Sequence, residues 1–381
     1  MAPRVIFWLC IGVIAFTYMG YPLILAVLGL IKGPARTPSP SQWPAISVLM
    51  GIRNEQGRIL DAICNNLTNG YPDDRIEVIV CSDASTDDTD ALVRQYGDPR
   101  VSLVRSDNQI GFNEVTALGA RQAKGEVFLL THAKTSFQPG AIGMLARHFA
   151  DPKVGIATGR IVYRNPLGTA IGSGYKAYWT IEDAVRAMES RLGLGVVVVG
   201  AFEMVRRDAY LPIPSLYSND MTAPMYARSR GYLCRCEPQA VQFTDQTNDN
   251  AQEFSRRLRM AVRAWSSILY MLKTVPFLGN AVDWLVLVCH KYLRWSTWLF
   301  MIATLLASAM LLEAGPIYQV CLGAQMAFYL AAGLGWMMSA AGCRQRPLWA
   351  PFYFCLLQAA AMAGLVQAVL GRRIGVWQPI T

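Results

Sequence analysis

Four short polar stretches follow apolar runs: Arg53-Asn54-Glu55, Ser82-Asp83-Ala84-Ser85, residues 107–113 and residues 131–135. Together they offer carboxylates, hydroxyls and a guanidinium, groups that fix a polar ligand by hydrogen bonds. The last of them, inside "FLLTHAKTSF", carries His132 and Lys134. Hard divalent cations want oxygen ligands; an imidazole nitrogen suits manganese at best, and an ammonium repels the ion. Farther along, Asn219-Asp220 precedes "MTAPMYARSRG" and has the chemistry of a helix N-cap. Arg256, Arg257, Arg259 and Arg263 share a segment with Phe254, Leu258, Val262, Trp265 and Leu269, which recur at helical spacing. That pattern predicts an amphipathic helix on a membrane surface, its arginines meeting lipid phosphates.

The elements that hold the first four stretches alternate. "AISVLMGI", "IEVIVCS", "VSLVRS" and "EVFLL" are short, β-branched apolar runs and read as buried strands. Between them, "EQGRILDAICNNLTNG" puts Ile59, Ile63 and Leu67 on one helical face. "DASTDDTDALVRQYG" begins like a capped helix, and "NEVTALGARQAKG" reads as a helix closed by a glycine. The alternation predicts an α/β domain: a Rossmann-like, mostly parallel sheet covered on both faces. Ligands of such sheets bind beyond the carboxyl ends of the strands, where the polar stretches fall. The nine cysteines show no metal-ligand spacing, and Cys234 and Cys236, two apart on a strand, read as packed small side chains.

The chain of 381 residues is 53% hydrophobic and only 16% charged, too apolar for an ordinary soluble protein, and the excess is clustered. Residues 5–31 exceed both the about 20 residues that span a bilayer and the core of a cleaved signal peptide. Runs 295–312, 317–341 and 348–370 are near spanning length, whereas 277–289, interrupted by Asn280 and Asp283, reads as an interfacial helix. The expected organisation is a membrane helix at 1–32, a Pro/Ser-rich connector, a domain over 42–252, amphipathic or interfacial helices over 253–292, and about three membrane helices over 293–371. Lys32, Arg36, Arg344 and Arg346 lie on one side and Glu313 on the other, which puts the domain in the cytoplasm and the multi-pass chain in the inner membrane. Arg372 and Arg373 run against that rule. A net charge of +9 fits anionic lipid and anionic substrates. No base-stacking aromatics interleave with the arginines, which argues against nucleic acid as a partner. The spans carry almost none of the charges that mark an ion path, which argues against a transporter.

In combination, "ISVLMGIRNE", "YPDDRIEVIVCSDASTDDT", "AKGEVFLL", "ARHFADPKVGIATGRIVY", "YWTIEDAVRAMESRLG", "SNDMTAPMYARSRGYLCRCEPQAV", "EFSRRLRMAVRAW", "CHKYLRW" and "GRRIGVWQPIT" resemble the family 2 glycosyltransferases of the membrane-anchored, GT-A type. The likeness covers nearly the whole chain. It implies a nucleoside-diphosphate sugar, UDP-linked, lying across the first strand ends, with Arg53, Glu55 and Asp83 as nucleotide contacts. It implies that Asp220 is the base that deprotonates the acceptor hydroxyl; the residue before it, an acid in the family, is Asn219 here. It also implies that one or two of Arg256, Arg257, Arg259 and Arg263 steady the diphosphate. A surface polysaccharide or glycolipid would be the acceptor, with an export or synthase subunit as a further partner.

The resemblance further implies magnesium or manganese, held by acids at the positions of His132 and Lys134, and that acidic motif is missing. Phe112 and Ala117 also stand where the family has Lys and Asn. Two readings follow. In one, Lys134 supplies at the strand end part of the charge a metal would, an interaction worth about 3 kcal/mol in a dry site, and the chain is an inverting transferase. In the other, the chain binds the nucleotide sugar or a synthase partner without chemistry.

Overall fold

The computed structural model describes residues 1–32, 42–164, 170–245, 250–341 and 348–372. Arg36, Arg344, Arg346 and Arg373 lie outside the described residues.

β1 (Ile46–Ile52) is buried along its whole length. Its alternate residues Ile46, Val48, Met50 and Ile52 pack on one face of the sheet with Ile59, Ile63 and Leu67 of α3 (Ile59–Leu67). Leu49 packs on the other face, among Val115 and Ala120 of α5 (Phe112–Gln122). Two covered faces explain why the strand reads as a continuous apolar run. β2 (Ile76–Asp83), β3 (Val101–Ser106) and β4 (Val127–His132) join it in parallel, in the order β3-β2-β1-β4. The four strands and the covering helices α3, α4 (Thr89–Arg94) and α5 are the elements expected from the sequence.

Beyond β4 the sheet changes sense. β7 (Glu203–Arg206) is antiparallel to β4 and to β6 (Val154–Arg164), β8 (Leu233–Asp245) runs parallel to β6, and the short β5 (Thr135–Phe137) closes the edge against β8. Four of the seven strand pairings involve these later strands, three of them antiparallel, so the sheet is mixed. α6 (Ala141–Ala146), α7 (Ala170–Leu192), α8 (Asn219–Ser229) and α9 (Asn250–Thr274) complete the domain.

α1 (Ala2–Ala15) and α2 (Tyr21–Lys32) form one helical run through a π turn. That run, α13 (Pro316–Ala340) and α14 (Trp349–Val369) are long and apolar enough to cross a membrane. Between them, a helical run made of α10 (Ala281–Leu287), a π turn and α11 (Leu293–Trp295) meets α12 (Thr297–Met310) at a 57° bend. The 14 residues of α12 are about 21 Å long, short of the about 30 Å hydrocarbon core. The run 295–312, expected as a span, therefore reaches spanning length only together with the segment before it. The Thr297 hydroxyl bonds back to the Leu293 carbonyl at 3.0 Å, a device that bends helices.

α9 is not spread on lipid by its arginine face. Ala261, Val262 and Ala264 are buried, and Trp265 Nε1 donates to the Ala361 carbonyl of α14 at 3.2 Å. α9 is thus packed between α8 and α14, and its arginines turn inward.

Candidate active site

A cavity of about 540 Å³ opens where the carboxyl end of β4, the start of α8, one face of α9 and residues of the first helical run and α14 meet. Asp220, His132, Arg256, Arg257, Arg259 and Arg263 all line it. Asp220 stands in the first turn of α8, and its carbonyl accepts from Val198 N at 2.9 Å. Gly200 faces it so closely that a Cβ there would sit 2.7 Å from Asp220 Oδ1. The carboxylate, half-buried, lines the cavity.

The cations opposite are held to different degrees. Arg257 Nε donates to Glu253 Oε1 at 2.7 Å and its NH2 to the Tyr353 hydroxyl at 2.8 Å. Arg256 Nε lies 3.4 Å from Glu253 Oε2. Arg263 donates to the Tyr217 carbonyl at 2.9 Å, and burial lowers its pKa against the pull of Asp220. Among the described residues, no hydrogen bond or ion pair holds Arg259, whose pKa burial also lowers. It is the cation most available to an anion in the cavity.

The residues at the ends of β1 and β2 are organised as a second layer, outside this wall. Arg53 donates to the Asp83 and Ala84 carbonyls at 2.8 and 3.1 Å. Asp83 is fully buried, and its two oxygens accept from Ile110 N and Gly111 N at 2.6 and 3.0 Å, tying the β3–α5 loop to the end of β2. Glu55 Oε1 lies 3.5 Å from Lys134 Nζ, and burial raises the Glu55 pKa against the pull of Lys134 and Arg58. Lys134, half-exposed, thus neutralises a carboxylate of its own protein.

Gly51 and His132 are register partners on β1 and β4. Phe112 fills the space above them: its ring centroid is 4.0 Å from that of His132, and a Cβ on Gly51 would sit 2.4 Å from Phe112 Cδ2. Burial pushes the imidazole down to about 4, so it is neutral at physiological pH. A lone imidazole under a phenyl group, with an ammonium two residues on, offers none of the oxygen ligands that magnesium or manganese takes. No cluster of three or more His, Cys, Asp or Glu suited to a metal occurs among the described residues. Excess chelator should therefore leave nucleoside-diphosphate release within about twofold of the untreated rate; loss of turnover on chelation would show that an ion is used after all.

His132 also gives a pH prediction with a definite sign. Its folded pKa of about 4 lies below the unfolded value of 6.5. As pH falls through that interval the unfolded chain binds a proton that the folded chain does not, so stability drops on acidification, by at most about 3 kcal/mol. As pH goes from 7 to 4, the thermal midpoint of wild type in detergent should fall relative to that of His132→Gln, which has no group to titrate there.

On the membrane side of the cavity, Glu182 accepts from Arg294 at 2.9 Å and from His290 at 3.1 Å, and also pairs with Lys291. His290 bridges on to Glu189 at 2.8 Å, which accepts from the Tyr21 hydroxyl at 2.5 Å. This network joins α2, α7 and the π turn before α11. Its members lie in "CHKYLRW" and in "YWTIEDAVRAMESRLG", which holds Glu182 and Glu189; both stretches carry the resemblance, but nothing in the sequence joins one to the other. Glu203 of β7 gave no signal: its carboxyl is fully buried, accepts from the Asn219 side-chain amide, and has its pKa raised well above the ordinary range by burial and by Asp220.

Comparison with known proteins agrees with this architecture. A family model described as Glycosyl transferase family 2 matches residues 47–211. An N-acetylglucosaminyltransferase of Sinorhizobium fredii is 23% identical over 254 residues, 62% of this chain and 61% of that protein. A hyaluronan synthase of Streptococcus pyogenes is 26% identical over 223 residues, 55% of this chain and 50% of that protein. The chain thus spans about half to three fifths of the length of the curated relatives it matches. A solved mannosyltransferase from Pyrobaculum calidifontis, in complex with GDP-Man and Mn2+, has a TM-score of 0.70 over 97% of this chain and 100% of that chain, at 21% identity, which is a likeness of fold. Residues 47–211 therefore match a family 2 glycosyltransferase domain, set in a fold shared with a solved glycosyltransferase and flanked by helices long and apolar enough to cross a membrane.

Proposed function

We propose that the chain transfers a sugar, with inversion, from a nucleoside-diphosphate donor to a hydroxyl of a surface polysaccharide or glycolipid at the cytoplasmic face of the inner membrane. One observation carries this reading: Asp220 and the arginines of α9 face each other across one cavity that also reaches the membrane helices. Arg256, Arg257, Arg259 and Arg263 set against Glu253 and Asp220 leave a surplus of two positive charges, four minus two. That surplus suits a diphosphate diester, which carries one negative charge per phosphate.

In the transfer, the acceptor hydroxyl attacks the anomeric carbon while Asp220 takes its proton. The bond from that carbon to the phosphate oxygen breaks, and its electron pair leaves on the diphosphate. Guanidinium groups already in place stabilise the developing charge without reorganisation. Arg53, Glu55 and Asp83 are proposed to shape the loops on which the nucleoside lies, and UDP is the nucleotide the family resemblance favours. Lys134, already facing Glu55, takes the smaller part in neutralising the leaving group. Magnesium and manganese have no step in this scheme.

The test is a donor panel, UDP-N-acetylglucosamine, UDP-glucose and GDP-mannose, offered to the full chain in membranes. Release of free nucleoside diphosphate from one donor supports the reading. Tight binding of a donor with no release from any would instead favour a non-catalytic subunit that holds nucleotide sugar for a synthase.

A further inference from the structure

We propose that Glu203 is the second carboxyl group of the transfer site, a positioning residue that aims Asp220 through the side chain of Asn219. This inference rests on Asp220 being the base.

The family resemblance implies two adjacent acids at the start of this helix, and here the first is Asn219. The structure shows where an acid has reappeared. Glu203 lies on β7 in register with Leu130 of β4 on one side and Thr158 of β6 on the other, so its backbone is fixed from both flanks. Its carboxyl crosses to the start of α8, where Oε1 accepts from the Asn219 amide nitrogen. An acid at 219 would instead meet Glu203 as a like charge. The pair has exchanged places: amide on the helix, carboxyl on the strand.

Geometry then carries the effect to Asp220. Asn219 and Asp220 are consecutive in the first turn of α8, and that turn is also fastened by Val198 N at the Asp220 carbonyl. Gly200 closes one side of the Asp220 carboxylate. The Asn219–Glu203 bond fixes the remaining freedom, the rotation of the turn. A site held by a strand is held more rigidly than one held by a loop.

Glu203 is costly to keep where it is. It is fully buried, and its Oε2 has no hydrogen-bond partner among the described residues. The titratable side chains that influence it, or that it influences, are Asp220, Tyr210 and Cys234. None of the three is a cation that would compensate a charge there. A fold needing only to fill the space would do so with an apolar residue.

The experiment is donor turnover by the full chain in membranes, with kcat and KM read separately. Glu203→Ala should lower kcat about tenfold to a hundredfold, the loss that about 1 Å of misplacement brings, while the donor KM holds. Asn219→Asp alone should lose about tenfold, because two carboxyl groups then meet with no cation between them. Adding Glu203→Gln to it rebuilds one acid and one amide in exchanged positions and should recover most of that loss. Both of those changes preserve side-chain size, so the comparison survives if the alanine variant does not fold. Wild-type kcat in Glu203→Ala, or a double variant no better than Asn219→Asp, overturns the proposal. Normal turnover in Asp220→Asn would overturn the base assignment instead, and the two failures are told apart by which variant stays active.

Discussion

Asp220→Asn should release nucleoside diphosphate about 10²–10⁴-fold more slowly than the parent chain, the usual contribution of a positioned general base. The donor KM should change by less than about threefold, because the change removes an interaction used in the transition state and leaves the arginines of α9 in place. Folding should survive: asparagine is as acceptable as aspartate near a helix start, and Ser218, which precedes it, is anchored by its own backbone N–H to the Ser267 hydroxyl at 2.8 Å. A second variant reaches the same carboxylate without touching it. In Gly200→Ala the new Cβ would lie 2.7 Å from Asp220 Oδ1, so either the carboxylate turns or the turn before β7 shifts. Its kcat should fall in the same direction. Unimpaired turnover in Asp220→Asn, with the protein shown folded by its thermal midpoint, would remove the base from the mechanism and with it the mechanism.

The sequence shows some of these residues far more clearly than others, for physical reasons. β1 to β4 are legible because a strand buried on both faces must be apolar throughout, and nothing else so short is. α3 is legible because Ile59, Ile63 and Leu67 recur on one face. Periodicity, however, states only that a helix has two faces and not what covers each. α9 carries the period of a membrane-surface helix, yet α14 occupies its apolar side and the cavity takes its arginines. The partner strand of Glu203 and the helix start it meets are 16 residues apart with no fixed spacing between them, so their contact exists only in the folded chain. The same holds for Glu182, which meets Lys291 across 109 residues. Lys134 is the reverse case. Its charge was plain, but Glu55, on another strand's loop, decides how much of that charge reaches a ligand.

That contrast makes the second large effect specific. Arg259→Ala should reduce kcat/KM by about 10²-fold or more, comparable to removing one fixed donor from a dry site that stabilises developing charge. Lys134→Met should cost less than about tenfold, since Glu55 already engages that ammonium. The order matters more than either size. In the proposed scheme side chains neutralise the departing diphosphate, and the cation least committed to the protein contributes most. Arg257 is held by Glu253 and Tyr353, whereas Arg259 has no such bond among the described residues. Arg259→Lys should recover part of the loss, keeping the charge but not the two-pronged geometry that fits phosphate oxygens. Steady-state kinetics on the three variants, with one productive donor, give the ranking directly. A larger loss in Lys134→Met than in Arg259→Ala would move the charge-stabilising role from α9 back to the end of β4.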